Sequence, residues 1–263
     1  MKYVLILLMM GLIGQVIAQP EAKQILNGSF RSFSVDETGH LYVVTYDGRL
    51  KKYNPKGDSM GVFNDVRRYG RLTMVHTGNP LRTLLFYRDF RTVVVLDRFL
   101  QPINVLDFRK NNLFQVKVVA PSYDNHLWIF DEQENKLKKI GEAGNVLMET
   151  ADLRVALDIT PSPRDLIDQN GFVYLYDELN GLYIFDYYGA FKGRIALIGW
   201  DNIQISGSSI SGTKGDKLLD YTFGTLELKE KPLPSLTESV QSVRRSSQGL
   251  YILTEKGIKL VQY

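Results

Sequence analysis

The sequence predicts an all-β protein, a single six-bladed β-propeller, and three observations predict it. A turn-plus-strand phrase recurs: Asp36-Glu37-Thr38-Gly39-His40-Leu41-Tyr42-Val43 is matched by Asp168-Gln169-Asn170-Gly171-Phe172-Val173-Tyr174-Leu175. Shorter echoes are Asp124-Asn125-His126-Leu127-Trp128-Ile129 and Ser247-Gln248-Gly249-Leu250-Tyr251-Ile252. An acidic residue closes a strand at Asp47, Asp97, Asp131, Asp177, Asp220 and Glu255. Their interval centres on about 42 residues, the length of a four-stranded blade. Apolar residues alternate with period two, and no long stretch carries them at i, i+3, i+4 and i+7, so helices are not the building unit.

Each blade is expected to open with an inner strand and continue into the hairpin phrase. The inner strands are expected at Phe30 to Val35, Leu72 to His76, Phe114 to Ala120, Asp165 to Asp168 in a weaker form, Ile203 to Ser206 and Val240 to Arg244. The turns follow from local chemistry. Asp or Asn caps its own turn, Gly supplies the positive φ, and the aromatic and aliphatic run that follows is a strand. Blades two and five match the phrase least, which leaves the blade count open by one. A β-sandwich also has short, regularly spaced strands, but it does not account for the same turn chemistry at blade-length intervals.

The two ends are expected to meet. Leu250 to Thr254 and Ile258 to Gln262 supply two strands, and the chain stops before a further one. An uncovered strand edge invites aggregation, and Ala22 to Leu26 is placed to pair with the last blade and clasp the ring. Ahead of it, residues 1–18 set Lys2 before the apolar run Val4 to Ile13, with Val16 and Ala18 as the small residues of a cleavage site. That pattern is a secretory signal peptide. The run is broken by Gly11, Gly14 and Gln15, short of the roughly 20 apolar residues a spanning helix needs. The expectation is a soluble propeller domain over residues 19–263 with no direct membrane insertion.

The chain has no cysteine, so stability is expected from a core rather than from disulfides. A formal net charge of +3 with 23% charged residues points to no general polyanion partner, and nucleic acid is not expected.

The D-x-x-G-x-[LV]-Y-[VL] hairpins resemble those of six-bladed NHL-repeat-like propellers over essentially the whole chain after residue 18. They depart from the WD-repeat pattern, since Gly39-His40 is followed by no Trp-Asp in its own blade and Trp200-Asp201 lies far away. The signal ending Ala18-Gln19-Pro20 and the Tyr- and Asn-rich strands are similar to exported proteins of Bacteroidota. That resemblance implies the periplasm or cell surface of a Gram-negative bacterium. It also implies a soluble accessory role in an outer-membrane machine such as the type IX secretion apparatus.

Catalytic chemistry is sparse. His40 and His126 occupy corresponding turn positions and His76 ends an inner strand; all three are expected to be solvated or capped, since zinc needs clustered ligands. Ser206 to Lys214 contains G-x-x-x-x-G followed by Thr-Lys, the reverse of the order a phosphate loop needs. It also holds Ser211-x-x-Lys214 without the S-D-N and K-T-G partners of serine acyl-enzymes. Six-bladed propellers of the lactonase class hold calcium in the central tunnel, but Asp47, Asp97, Asp131, Asp177 and Asp220 are expected at hairpin turns away from the axis. No cofactor, metal ligand or catalytic residue is therefore assigned, and a tunnel-metal hydrolase stands as the alternative.

The strongest charge asymmetry lies in blade two. From Asp65 to Lys110 stand Arg67, Arg68, Arg71, Arg82, Arg88, Arg91, Arg98, Arg109 and Lys110 against Asp65, Asp89, Asp97 and Asp107. Aromatic residues are interleaved, and Arg with Tyr or Trp is the composition of interface hot spots. Arg67, Arg68, Arg71, Arg88, Arg91, Tyr69, Tyr87 and Trp200 are the expected contacts to another envelope or outer-membrane protein. A second alternative is a sugar or peptide sensor using Trp128, Trp200 and Tyr183, with Trp128 expected in the core and Trp200 exposed.

Overall fold

Short alternating segments bounded by Asp, Asn and Gly turns pair with their sequence neighbours, because a short connection leaves the adjacent segment as the reachable antiparallel partner. The structure, a computed structural model describing residues 22–262, contains six such four-stranded antiparallel sheets. Strand β1 (Ala22–Asn27) comes first and belongs to the last sheet. Blade one is β2 (Ser32–Val35), β3 (Leu41–Val44), β4 (Leu50–Tyr53) and β5 (Ser59–Phe63), and helix α1 (Val66–Tyr69) leads out of it. Blade two is β6 (Met74–Asn79), β7 (Arg82–Tyr87), β8 (Thr92–Asp97) and β9 (Pro102–Asp107). Blade three is β10 (Val116–Pro121), β11 (Leu127–Asp131), β12 (Lys136–Ile140) and β13 (Val146–Glu149), followed by α2 (Leu153–Leu157). Blade four is β14 (Asp165–Gln169), β15 (Phe172–Asp177), β16 (Gly181–Asp186) and β17 (Phe191–Ile195). Blade five is β18 (Asp201–Ser206), β19 (Ser209–Lys214), β20 (Lys217–Thr222) and β21 (Glu227–Pro232). Blade six is β22 (Val240–Ser246), β23 (Gly249–Thr254) and β24 (Gly257–Val261), completed by β1.

The ring closes as the ends of the sequence predict. β1 runs antiparallel to β24, with Ala22 opposite Val261 and Asn27 opposite Gly257. The six inner strands β2, β6, β10, β14, β18 and β22 touch in cyclic order, and β22 meets β2. An apolar core fills each gap between neighbouring blades. Between blades six and one it is Leu41 and Val43 against Tyr251, Leu253 and Ile258. Between blades three and four it is Trp128 and Phe130 against Val173, Leu175 and Phe185.

The meander sorts the loops onto two faces. Connections entering inner strands, and turns between second and third strands, share an upper face; turns between first and second, and third and fourth, strands share the lower one. Asp36 behaves as its phrase predicts: its Oδ1 accepts from the backbone N–H groups of Thr38 at 3.0 Å and His40 at 2.9 Å. Asp168 does not. It lies within β14, and the turn that follows is a two-residue one in which Asn170 (φ 54°) and Gly171 (φ 84°) are both left-handed.

Several expectations need correction. Asp47, Asp131, Asp177 and Glu255 stand at the turn between second and third strands, but Asp97 closes the third strand of its blade and Asp220 lies inside β20. Asp220 is no turn-former; it pairs with Arg245. The Thr160-Pro161-Ser162-Pro163 segment ahead of blade four packs inward: both prolines are buried and the Ser162 N–H donates to Asp177 Oδ2 at 2.7 Å. Trp200, expected to be exposed, is 4% exposed, whereas Trp128 is buried as expected. The expected signal segment lies outside the described residues.

Candidate functional site

The basic stretch of blade two divides between the two faces. Arg82 begins β7 on the lower face, where it pairs with Glu142 at 3.6 Å, and Arg98 lies in the lower turn between β8 and β9. The rest gather on the upper face. Arg67 and Arg68 are on α1, Arg71 is in the connection that follows, and Arg88 and Arg91 are in the turn between β7 and β8. This turn is wedged between two entering connections. The Arg88 N–H donates to Thr73 Oγ1 at 3.2 Å, Gly70 sits against the Phe90 ring, and the Phe108 N–H donates to the Arg91 carbonyl at 2.9 Å. Arg91 Nε also donates to the Phe114 carbonyl.

Arg67, Arg68, Arg71 and Arg88 are exposed, and among the described residues none has a carboxylate within ion-pair distance. Arg71 also lies close enough to Arg31 to depress its pKa, which burial has already lowered. Neighbouring cations without ion-pair partners produce a positive potential. Beside them runs a groove of about 510 Å3, lined by Arg68, Phe90, Val105, Asp107 and Lys110. Here Arg109 is tied to Asp107 by three hydrogen bonds of 3.0, 2.9 and 2.7 Å, which hold that carboxyl below its usual range.

The aromatic residues expected to join this surface do not. Tyr69 and Tyr87 are 5% and 2% exposed and pack as a tilted ring pair, centroids 5.3 Å apart, beneath the face. Burial raises both hydroxyl pKa values. Tyr69 nevertheless anchors one arginine: the Arg68 guanidinium lies 5.1 Å over its ring. Trp200 belongs to the core between blades four and five, where its backbone N–H donates to Tyr176 Oη at 2.8 Å and its carbonyl accepts from the same hydroxyl at 2.7 Å. Tyr183 is buried as well.

A second candidate region lies on the axis, and sequence reasoning missed it. A cavity of about 380 Å3 is lined by inner-strand residues from all six blades, among them Arg31, His76, Asp165 and Arg244. His76, expected to be solvated or capped, is neither on its Nε2 side. Its Nε2 is shielded from solvent and lacks a hydrogen-bond partner, and burial takes its pKa down to about 4 against the opposing pull of Asp165. Arg244 is held from one side: Nη1 donates to Asn202 Oδ1 and to the Val243 carbonyl, each at 2.9 Å. Asn202 is itself fixed, accepting from Ser242 at 2.7 Å and donating to Thr213 at 2.8 Å. The available signal was position: His76 and Arg244 are polar residues on inner strands, where alternation puts side chains at the axis or between blades.

The cavity's carboxylates are Asp165 and Asp168. Asp168 is consumed by the fold, accepting from Ser122 Oγ at 2.9 Å, Trp128 Nε1 at 2.9 Å and Tyr187 Oη at 2.5 Å. Among the described residues no three of His, Cys, Asp or Glu gather closely enough to hold a metal ion.

No protein-family model and no curated protein sequence matches the chain. Solved structures match its fold. Virginiamycin B lyase from Staphylococcus aureus is similar with a TM-score of 0.60 at 10% identity, over 89% of this chain and 81% of that one. The WD40 domain of Pan2 from Neurospora crassa is similar with a TM-score of 0.62 at 11% identity, over 92% and 84%. The extracellular domain of a hybrid two-component system protein from B. thetaiotaomicron is similar with a TM-score of 0.59 at 13% identity, over 90% of this chain and 34% of that one. At these identities the likeness shows the propeller fold.

Proposed function

We propose that the chain is a non-catalytic protein-binding propeller of a bacterial envelope, NHL-like in its hairpins. In this reading, the upper face of blade two docks on an acidic surface of another envelope or outer-membrane protein. The observation that carries the reading is the set Arg67, Arg68, Arg71 and Arg88: four exposed guanidinium groups on one face, without carboxylate partners, beside an open groove, with Arg68 held over the buried Tyr69 ring. Arginine fixed in this way presents its donor fork at low entropic cost and suits carboxylate recognition. The sequence of residues 1–18 supports export, and resemblance to exported Bacteroidota proteins favours an accessory part of an outer-membrane secretion machine. A tunnel-metal hydrolase is less well supported, because Asp168 is occupied by Ser122, Trp128 and Tyr187.

The test is affinity isolation of the tagged mature protein from the envelope of its source cell, beside a variant with Arg67, Arg68 and Arg71 each changed to Glu. The reading requires one defined partner retained by the parent and lost from the folded variant. Equal recovery from both overturns it.

A further inference from the structure

The axial cavity contains a prepared cation. Nη1 of Arg244 is committed to Asn202 and the Val243 carbonyl. Nε and Nη2 have no hydrogen-bond partner among the described residues, yet neither is among the buried orphan atoms, so both remain reachable from the cavity. These two N–H groups lie on the same edge of the planar guanidinium, spaced as the two oxygens of a carboxylate are spaced. No carboxylate of the described protein lies within ion-pair distance of Arg244. Asp165, which acts on it electrostatically, is engaged by Arg164 at 3.4 Å. A cation so placed gains from an anion that the fold does not supply.

We propose that this cavity binds a small organic carboxylate, held side-on by Nε and Nη2 of Arg244. The volume of about 380 Å3 falls within the range of small-molecule sites. Val35, Met74, Ile203 and Ile205 give the carbon skeleton an apolar wall. Arg31, which donates to the Leu72 carbonyl, and Arg71 beside it extend positive potential toward the upper mouth, the direction from which an anion is drawn in. The Asn202 anchor, tied to Ser242 and Thr213, holds the fork in place before binding, which reduces the ordering cost. This site is distinct from the docking face, although Arg71 borders both: one takes a small molecule on the axis, the other a protein surface outside it.

The test uses the imidazole NMR signals of the mature protein's three histidines during titration with acetate, hexanoate and gluconate, with glucitol and inorganic phosphate as controls. His76 lines the cavity, whereas His40 and His126 belong to turns. The expected result is a saturable shift of the His76 signals at millimolar concentration with at least one carboxylate. Glucitol should leave them unmoved, and so should every carboxylate in Arg244→Gln. Arg244→Lys, which keeps the charge and loses the fork, should weaken binding at least tenfold. The proposal is overturned if no carboxylate moves His76 in the parent protein, if inorganic phosphate moves it equally well, or if the shift survives in folded Arg244→Gln. Should Arg244→Gln not fold, undiminished binding by Arg244→Lys overturns it instead.

Discussion

Trp128 of blade three donates its indole Nε1–H to the Asp168 carboxylate of blade four at 2.9 Å. The same carboxylate accepts from Tyr187 at 2.5 Å and Ser122 at 2.9 Å, so one acidic side chain fastens two blades at their lower edge. Tyr187 also stacks with Tyr123 at 4.8 Å, and Lys139 Nζ lies 5.2, 5.3 and 5.7 Å over the rings of Tyr123, Trp128 and Tyr187. Hydrogen bonds to a charged acceptor contribute roughly 1.5–3 kcal/mol each, and an indole N–H left unpaired adds a desolvation penalty. Asp168→Ala is therefore expected to lower stability by about 3 kcal/mol in urea unfolding. A change in Trp128 fluorescence should accompany it in the folded state.

His76 makes stability depend on pH. Its folded-state pKa of about 4 lies below the roughly 6.5 of an unfolded imidazole. The unfolded chain accepts a proton that the folded chain refuses, so this contribution is intact above about pH 6.5 and is lost as pH falls toward 4. The loss is on the order of 3 kcal/mol. In His76→Gln the part of the pH dependence lying between those values should disappear, as measured by denaturant midpoints across the range.

Ring closure depends on close backbone approach at the clasp. Gly257, opposite Asn27 in the β1–β24 pair, has φ 139°, and a Cβ there would collide with the Leu26 carbonyl oxygen. Gly257→Ala is expected to cost at least about 2 kcal/mol, combining an unfavourable φ with a displaced strand. Deletion of 22–27 uncovers the edge of β24 and is expected to produce concentration-dependent association, visible by light scattering.

The proposed docking face predicts a salt dependence. A partner held by Arg67, Arg68, Arg71 and Arg88 should dissociate faster and associate more slowly as ionic strength rises past the physiological range, since exposed charges are screened over about 8 Å there. Charge reversal at these exposed positions should leave the melting temperature within a few degrees, because surface changes typically alter stability by about 0.5 kcal/mol. Surface plasmon resonance at several salt concentrations measures the first, and calorimetry the second.

Strand periodicity and turn chemistry are local, and they carried the blade plan, the inner strands and the clasp between Ala22–Asn27 and the last blade. Asp97 and Asp220 show where local reading loses register. An acidic residue after an apolar run looks alike whether it closes a second strand, closes a third or faces an arginine of the neighbouring blade. Trp200 beside Gly199 resembles an exposed loop residue until Tyr176 and the core of blades four and five close over it.

The sequence by itself determined the all-β class, the four-stranded repeat and the closure of the ring, because strand alternation and turn residues act over a few neighbouring positions. It also marked the basic stretch of blade two. Only the tertiary structure decided which of those cations share a face, since Arg82 and Arg98 differ from Arg68 and Arg88 by the strand end at which they fall. It alone placed His76, Asp165 and Arg244 together on the axis. These residues come from blades two, four and six, and packing around a closed ring, not proximity along the chain, brings them to one cavity.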